Sequence, residues 1–218
     1  MTTIQSDVPQ PVGVDVLKAA FDRGLAALIL VITAPLFALA ALAIGIEGSL
    51  CSEDSGPILH RETRVSAGRV FSLFKFRTMQ VSAIEDARRQ GLTVKYLERA
   101  NQGHTRVGQY LRRWYLDELP QVINILRGEM SWVGPRPPAP FEYQRELSEG
   151  NVRKRLARAG LVGLQQANKG RTHGFDEEIA LDYEYVARVR GMGPPRRLIY
   201  DVSILLRTLR VLLEGKGL

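Results

Sequence analysis

Among 218 residues there is one cysteine, Cys51, so no internal disulfide staples the chain and the composition is compatible with a reducing compartment. Histidine is nearly as scarce: His60, His104 and His173 are dispersed, which favours a surface or structural role for each over a histidine-built metal centre. There is no Gly-x4-Gly-Lys-Ser/Thr phosphate loop and no His-Glu-x-x-His zinc motif. There is also no basic-aromatic RNA motif of the RRM kind, so nucleic acid is not an expected partner. Acids are outnumbered, 23 Asp and Glu against 30 Lys and Arg, which leaves a formal charge of +7 and a pI near 9.8. Such an excess points to an anionic partner, a membrane headgroup or a phosphorylated substrate. The length allows one cored domain with an appendage, and the 45% hydrophobic and 24% charged composition excludes wholesale disorder.

Charge is missing altogether between Arg23 and Glu47, where GLAALILVITAPLFALAALAIGI fills Gly24 to Ile46. A run longer than about 18 apolar residues is a membrane candidate, because roughly 20 helical residues cross the hydrocarbon core. A signal peptide fits poorly: the run exceeds the usual apolar region of about 7–15 residues, and Asp15 and Asp22 precede it. Pro35 lies near the middle, removes one backbone hydrogen bond and crowds the carbonyl four residues earlier, so a break is expected there. Lys18 and Arg23 precede the run while Arg61, Arg64 and Arg69 follow it, and flanking charge therefore does not force a crossing. A spanning helix and a re-entrant helix hairpin both remain open, with the Thr33 hydroxyl near enough to serve freed backbone in the second.

Residues 1–17, with Pro9 and Pro11, read as a disordered lead, 18–48 as the membrane segment, and 49–218 as the cored domain. Within the last, 52–68 is loop-like and RVFSLFKFRTM, Arg69 to Met79, has the aromatic and β-branched content of a strand. Lys75 and Arg77 are two apart on it and share a face, either solvated or turned to phosphate. Residues 83–100 suit a charged helix broken near Gly91, and Arg106 to Trp114 another. Toward the C-terminus, about 196–214, Leu198, Val202, Leu205, Leu209 and Leu212 recur at helical spacing among Arg197, Arg207 and Arg210. Such a helix either lies in the bilayer interface or packs on the core. The fold class expected is α+β, mostly helical, with a small β element.

The stretch YLDELPQVINILRGEMSWVGPRP, Tyr115 to Pro137, concentrates the chemistry. Asp117 is a candidate N-cap with Pro120 in the first turn, and Gly128 a candidate C-cap. Asp117 and Glu118 are adjacent and need not share a target. A carboxylate approaching a diphosphate is repelled by about 4 kcal/mol per charge pair at 4 Å and an effective dielectric near 20, so cations have to intervene. Mg²⁺, which takes carboxylate, phosphate and water oxygens, suits the task. Arg136, between Pro135 and Pro137, suits a two-donor grip on phosphate. Read without context, the same residues make a helix cap and a rigid surface turn.

The whole constellation resembles the signature of the bacterial sugar transferases, the monotopic phosphoglycosyl transferases that start glycan and exopolysaccharide assembly on polyprenyl phosphate. Besides LRRWYLDELPQVINILRGEMSWVGPRP, the resemblance takes in KAAFDR, FKFRTM, GLVGLQQANKGR, LDYEYV and the C-terminal basic helix. It implies a re-entrant membrane hairpin broken at Pro35, in the cytoplasmic leaflet of the bacterial inner membrane, with both ends in the cytoplasm and amphipathic interfacial helices beside it. It implies a Mg²⁺-dependent transfer of sugar-1-phosphate from a UDP-sugar to polyprenyl phosphate with release of UMP. The matching roles are nucleophile for Asp117, metal ligation for Glu118 with Asp117, phosphate binding for Arg136, Lys75, Arg77 and Arg112, and a further site acid at Asp182. The sugar and the oligomeric state stay open, a homodimer being one option. Only a short lead precedes the apolar run, as expected of the minimal form of the family. Tyr115, Ala34 and Ala159 stand where serine, serine and proline are usual, and the Arg64-Val65-Ser66 turn lacks an expected glycine. Two rivals are a membrane-anchored basic module that binds anionic lipid and a sugar-only glycosyltransferase that releases UDP.

Overall fold

The computed structural model describes residues 11–51, 55–90, 97, 102–169 and 174–214. The start of the lead, the Gly91 region, Gly170, Arg171, His173 and the final residues lie outside that set. The protein is mostly helical with small sheets. In chain order the elements are α1 (Val16–Leu50), β1 (Leu59–Ser66), β2 (Arg69–Phe76), α2 (Val81–Arg89) and α3 (Arg106–Arg113). A 3₁₀ turn (Leu116–Glu118), α4 (Gln121–Leu126), β3 (Ser131–Val133), α5 (Pro140–Ser148) and α6 (Arg153–Leu156) follow. The chain ends with β4 (Gly160–Val162), α7 (Leu164–Ala167), α8 (Phe175–Arg190) and α9 (Pro194–Leu213). Two compact units divide it: Met1–Ala26, Thr63–Ser72 and Asn124–Leu218 form one, Ala27–Glu62 and Leu73–Ile123 the other.

Helix α1 begins where the Asp15 carboxylate accepts from the Lys18 amide at 2.8 Å, an N-cap bond. It then runs unbroken for 35 residues with Pro35 inside it, so the expected two-helix hairpin over 18–48 appears as one continuous helix. Proline removes only one donor, and the residues around it are good helix formers. Thr33 does not serve the carbonyl that Pro35 leaves: its hydroxyl donates to the Ile29 carbonyl at 2.6 Å, a back-bond that itself favours bending. Only 11% of the most apolar window is buried, and Val31, Ile32, Leu39 and Leu42 are exposed, unlike the core helix of a soluble domain.

In the smaller unit, the covered side of α1 (Phe37, Ala40, Ile44) packs with Leu59, Phe76, Val107, Leu111, Leu116 and Leu119. Phe37 and Phe76 meet at 5.2 Å in a tilted pair. Beyond the apolar run, Glu47 turns its carboxylate to the start of α3, accepting from the Arg106 amide at 2.7 Å and the Val107 amide at 3.2 Å. Thr105 caps the same end by accepting from the Gly108 amide at 2.9 Å. Gly108 has no room for a Cβ, which would sit 2.2 Å from the Thr78 carbonyl oxygen.

Strands β1 and β2 pair through the two-residue turn Ala67–Gly68, whose φ values of +48° and +81° suit a tight hairpin turn. Residues 59–66, expected as loop, are thus a strand, and Arg64-Val65-Ser66 closes it instead of forming the turn. Strand β2 stops at Phe76, short of the expected Met79.

The larger unit is built on β3 and β4, an unexpected parallel pair with Ser131 opposite Gly160 and Val133 opposite Val162. Its interior is unusually ionic. Lys18 Nζ lies 2.8 Å from Asp22 and 2.8 Å from Asp201, all three nearly solvent-free. Tyr185 hydroxyl is 3.1 Å from Asp201, and Trp132 Nε1 donates to the Asp22 carbonyl at 3.0 Å. Burial pushes Asp201 above the ordinary carboxylate value, with Lys18 pulling it back. Arg197 donates to the Gly13 carbonyl and the Val12 amide to Leu156, so residues 12 and 13 of the expected lead are pinned.

Helix α9 buries Arg197, Asp201, Ile204 and Thr208, a stripe at helical spacing that is mainly polar. The leucine stripe read from the sequence is not this buried face. Ile199, Leu206, Leu209 and Leu213 remain exposed.

Removing one partner from a buried ion group strands the others. Lys18→Met is expected to destabilise the protein by about 3–5 kcal/mol, with Asp22 and Asp201 left facing each other. Thermal melting in detergent measures this; adding Asp201→Leu should recover part of the loss, and an unchanged melt for Lys18→Met would show that the cluster is solvated.

Candidate active site

Asp117 and Glu118 do not cap an α-helix as expected. Tyr115 takes the left-handed conformation, φ +56° and ψ +19°, and the chain then makes the single 3₁₀ turn that holds both acids. A non-glycine residue with positive φ is uncommon and marks a backbone fixed by its surroundings. Pro120 is buried behind the turn. Helix α4 starts only at Gln121, and Gly128, at φ +75°, closes it with its amide on the Ile125 carbonyl, as the C-cap reading requires.

The smaller unit brings Lys75 and Arg112 to these acids. Burial, then the charge of Glu118, lifts the Asp117 carboxyl from its ordinary range to about 6, while Lys75 and Arg112 pull it down. Lys75 is itself 3.2 Å from Glu62. Arg112 extends from α3, where its Nη1 meets His104 Nε2. Arg77 lies beyond the end of β2 and is buried, with Nε donating to the Pro57 carbonyl at 2.9 Å. Lys75 and Arg77 therefore do different things: the first acts on Asp117 electrostatically, the second ties down the loop before β1.

Arg136 and Asp182 belong to the larger unit. Arg136 is exposed between buried Pro135 and Pro137. The loop is held through its carbonyls: Pro135 accepts from the Gly160 amide at 3.0 Å and Pro138 from the Val65 amide at 3.0 Å. Asp182 is buried, and its Oδ2 accepts from Arg153 Nε at 3.0 Å and Lys154 Nζ at 2.8 Å, while Arg153 also binds Glu146 at 2.9 Å. That setting is an ion-paired interior acid.

Among the described residues no three His, Cys, Asp or Glu side chains converge on a metal position. The chain offers adjacent carboxylates, Asp117 and Glu118. Such a sparse oxygen set suits Mg²⁺, which keeps waters and takes phosphate oxygens, and does not suit a metal needing a full protein cage. Burial first, and the charge of Glu118 second, raise the Asp117 carboxyl, and a cation held at the pair would lower it.

The sequence reading missed His104, Glu62 and the partners of Asp182. His104 carried no local signal, since it contacts Arg112 through folding of the loop before α3. Lys18 and Asp22 did carry one, the i,i+4 spacing of an ion pair.

The bacterial sugar transferase model matches residues 14–215. A UDP-glucose:undecaprenyl-phosphate glucose-1-phosphate transferase of Caulobacter vibrioides is 38% identical, over 98% of this chain and 76% of the relative. A protein of the same name from Escherichia coli is 36% identical over 78% of this chain and 36% of its own length. An Aeromonas hydrophila UDP-N-acetylgalactosamine-undecaprenyl-phosphate N-acetylgalactosaminephosphotransferase is 32% identical over 92% of this chain and 45% of its own length. The chain thus spans most of the first relative and under half of the other two. Matched from before α1 to the end of α9, it belongs to the bacterial sugar transferase family.

Proposed function

We propose that the protein transfers sugar-1-phosphate from a UDP-sugar to a membrane polyprenyl phosphate and releases UMP. The relatives' names carry undecaprenyl phosphate with glucose, galactose or N-acetylgalactosamine, which supports the reaction class and leaves the sugar open. The observation that carries the reading is Asp117: a carboxyl lifted to about 6 beside a second acid, under the field of Lys75 and Arg112. At neutral pH it is mostly ionised yet poorly solvated, the condition of a reactive oxygen nucleophile.

In the first step an Asp117 carboxylate oxygen bonds to the β-phosphorus as the bond to the α-phosphate's bridging oxygen breaks, and UMP leaves with that electron pair. In the second, a phosphate oxygen of the polyprenyl phosphate bonds to the same phosphorus and the Asp117 carboxylate is released. Lys75 and Arg112 hold positive charge near the transferring phosphoryl group. Arg136, on its pinned loop, suits a two-donor grip on phosphate. Mg²⁺ held with Glu118 and Asp117 supplies the positive charge that offsets repulsion between carboxylate and diphosphate.

The monotopic kind of membrane attachment is supported by Pro35 near the middle of the apolar run and by basic residues on both of its flanks. The first turns of α1 bind Asp201 of α9 through Lys18, and its last turn caps α3 through Glu47. Among the described residues beyond α1 there is no further helix long and apolar enough to cross a bilayer. On this reading α1 would enter and leave the bilayer by the same face, with its turn at Thr33–Pro35. As a straight rod its 35 residues would span about 52 Å against a core of about 30 Å. The exposed leucines of α9, and Tyr110 and Trp114 one turn apart on α3, suit the bilayer interface. We place that interface on the cytoplasmic side of the inner membrane.

Asp117→Asn is expected to abolish UMP release and sugar-phosphate transfer without unfolding the protein; retained turnover would remove Asp117 as nucleophile, and UDP in place of UMP would favour the sugar-only rival. The same change reports on stability. A carboxyl raised to about 6 favours the folded state while protonated, and that contribution fades as pH climbs from about 4 through 6. Asp117→Asn should therefore stabilise the metal-free protein by about 3 kcal/mol at pH 7.5 and leave it nearly unchanged near pH 4. Wild-type turnover should fall as pH drops through about 6 in low Mg²⁺, where the nucleophile becomes protonated. For topology, exposed Cys51 is a native probe. Cys51, and in a Cys51→Ser background Gly13→Cys, should both react with an impermeant maleimide from the cytoplasmic side only; labelling from opposite sides would establish a crossing.

A further inference from the structure

His104 is buried on the segment that leads into α3, and its position is over-determined by the backbone. It forms an isolated antiparallel bridge with Met79, the Gln80 amide donates to the Gly103 carbonyl at 2.8 Å, and the Thr105 amide donates to the Thr78 carbonyl at 3.0 Å. Gly103, at φ +69°, has no space for a Cβ, which would meet Ala83 at 2.6 Å. The imidazole is thus held in one place. Its Nδ1 lies 3.2 Å from the Thr78 carbonyl oxygen, and its Nε2 meets Arg112 Nη1. A carbonyl only accepts and a guanidinium only donates, so both contacts are hydrogen bonds in one form of the ring alone: neutral, with the proton on Nδ1 and the lone pair on Nε2.

We infer that His104 is a positioning residue that fixes the Arg112 guanidinium, through the relay Thr78 carbonyl, His104 and Arg112, on the helix that packs against the 3₁₀ turn carrying Asp117. Arg112 is a long side chain at the end of an eight-residue helix, and fixing it otherwise costs rotamer entropy each time substrate arrives. A neutral acceptor holds the cation without consuming its charge, whereas a carboxylate at the same place would neutralise it. A guanidinium fixed in this way is preorganised charge, which acts in the transition state of a phosphoryl transfer. The catalytic part of this inference rests on the proposed sugar-phosphate transfer; the relay itself does not.

The test therefore has two arms, both on the full-length protein in lipid nanodiscs. In ¹⁵N NMR of the histidine rings at pH 7.5, His104 should show a protonated Nδ1 and a bare Nε2, the tautomer less common for free imidazole. In Arg112→Met the Nε2 resonance should move; a protonated Nε2 in the wild type, or no response to Arg112→Met, would overturn the relay. In the kinetic arm, His104→Gln keeps an acceptor at the Nε2 position and should retain activity within about threefold, whereas His104→Asn keeps only the donor to Thr78 and should lose about tenfold in kcat with KM little changed. The double variant His104→Asn/Arg112→Met should be no slower than Arg112→Met alone. Additive losses, or equal losses for the Gln and Asn variants, would reduce His104 to a packing residue. Absence of UMP release from the wild type would remove the transfer reading and leave the NMR arm standing.

Discussion

A carboxylate taken out of water has to be compensated, and this protein treats its buried acids in two different ways. Asp22 and Asp201 share Lys18, and Asp182 is held by Arg153 and Lys154 at direct ion-pair distance. Asp117 is offset only in part: Lys75 and Arg112 lower its pKa, yet burial and Glu118 outweigh them and leave it near 6. The first group holds elements together, with Lys18 joining the start of α1 to α9 and Arg153 and Lys154 joining α6 to α8. The second stores an electrostatic deficit at one oxygen. On the proposed reading, a cation brought with the substrate would relieve that deficit, so the imbalance that weakens the fold at neutral pH would favour binding there.

The membrane segment follows from a similar balance. Twenty-three uncharged residues are too apolar for water, yet they are flanked by groups that make specific polar contacts, Lys18 and Asp22 before them and Glu47 after them. Each contact fixes one end of α1 within its own unit. Hydropathy alone cannot distinguish a crossing from a re-entrant path, because both need about the same apolar length.

What could be read from the sequence was what is local or periodic. The uncharged run, the strand around Phe74–Phe76, the C-cap at Gly128 and the long helix at 194–213 each carry a signal within a few residues. Strands β3 and β4 were missed because three residues are too few to show alternation, and because their partner lies across α5 and α6. The leucine stripe of α9 was visible, but its direction was not: the face turned inward is the polar one, chosen by Lys18, Tyr185 and Gly13, and no helical period announces distant partners. At the candidate site the residue types were legible and their geometry was not. Aspartate before proline suggested a cap, whereas the left-handed Tyr115 turns the chain so that both acids fall on a 3₁₀ turn.

That geometry bears on how two neighbouring acids can hold separate roles. On an α-helix successive side chains are about 100° apart, while on a 3₁₀ turn they are about 120° apart, and the turn is tighter along its axis. The wider angle directs Asp117 and Glu118 away from each other, and the repulsion that remains still raises Asp117. Moving the pair into the first turn of α4 would bring the carboxylates closer in direction and expose them to the amides of the helix end, which favour the ionised form and would quench the nucleophile. The strained residue at 115 and the buried Pro120 keep the acids off that helix. The left-handed backbone at Tyr115 thus holds Asp117 and Glu118 on a turn of their own, ahead of the first turn of α4.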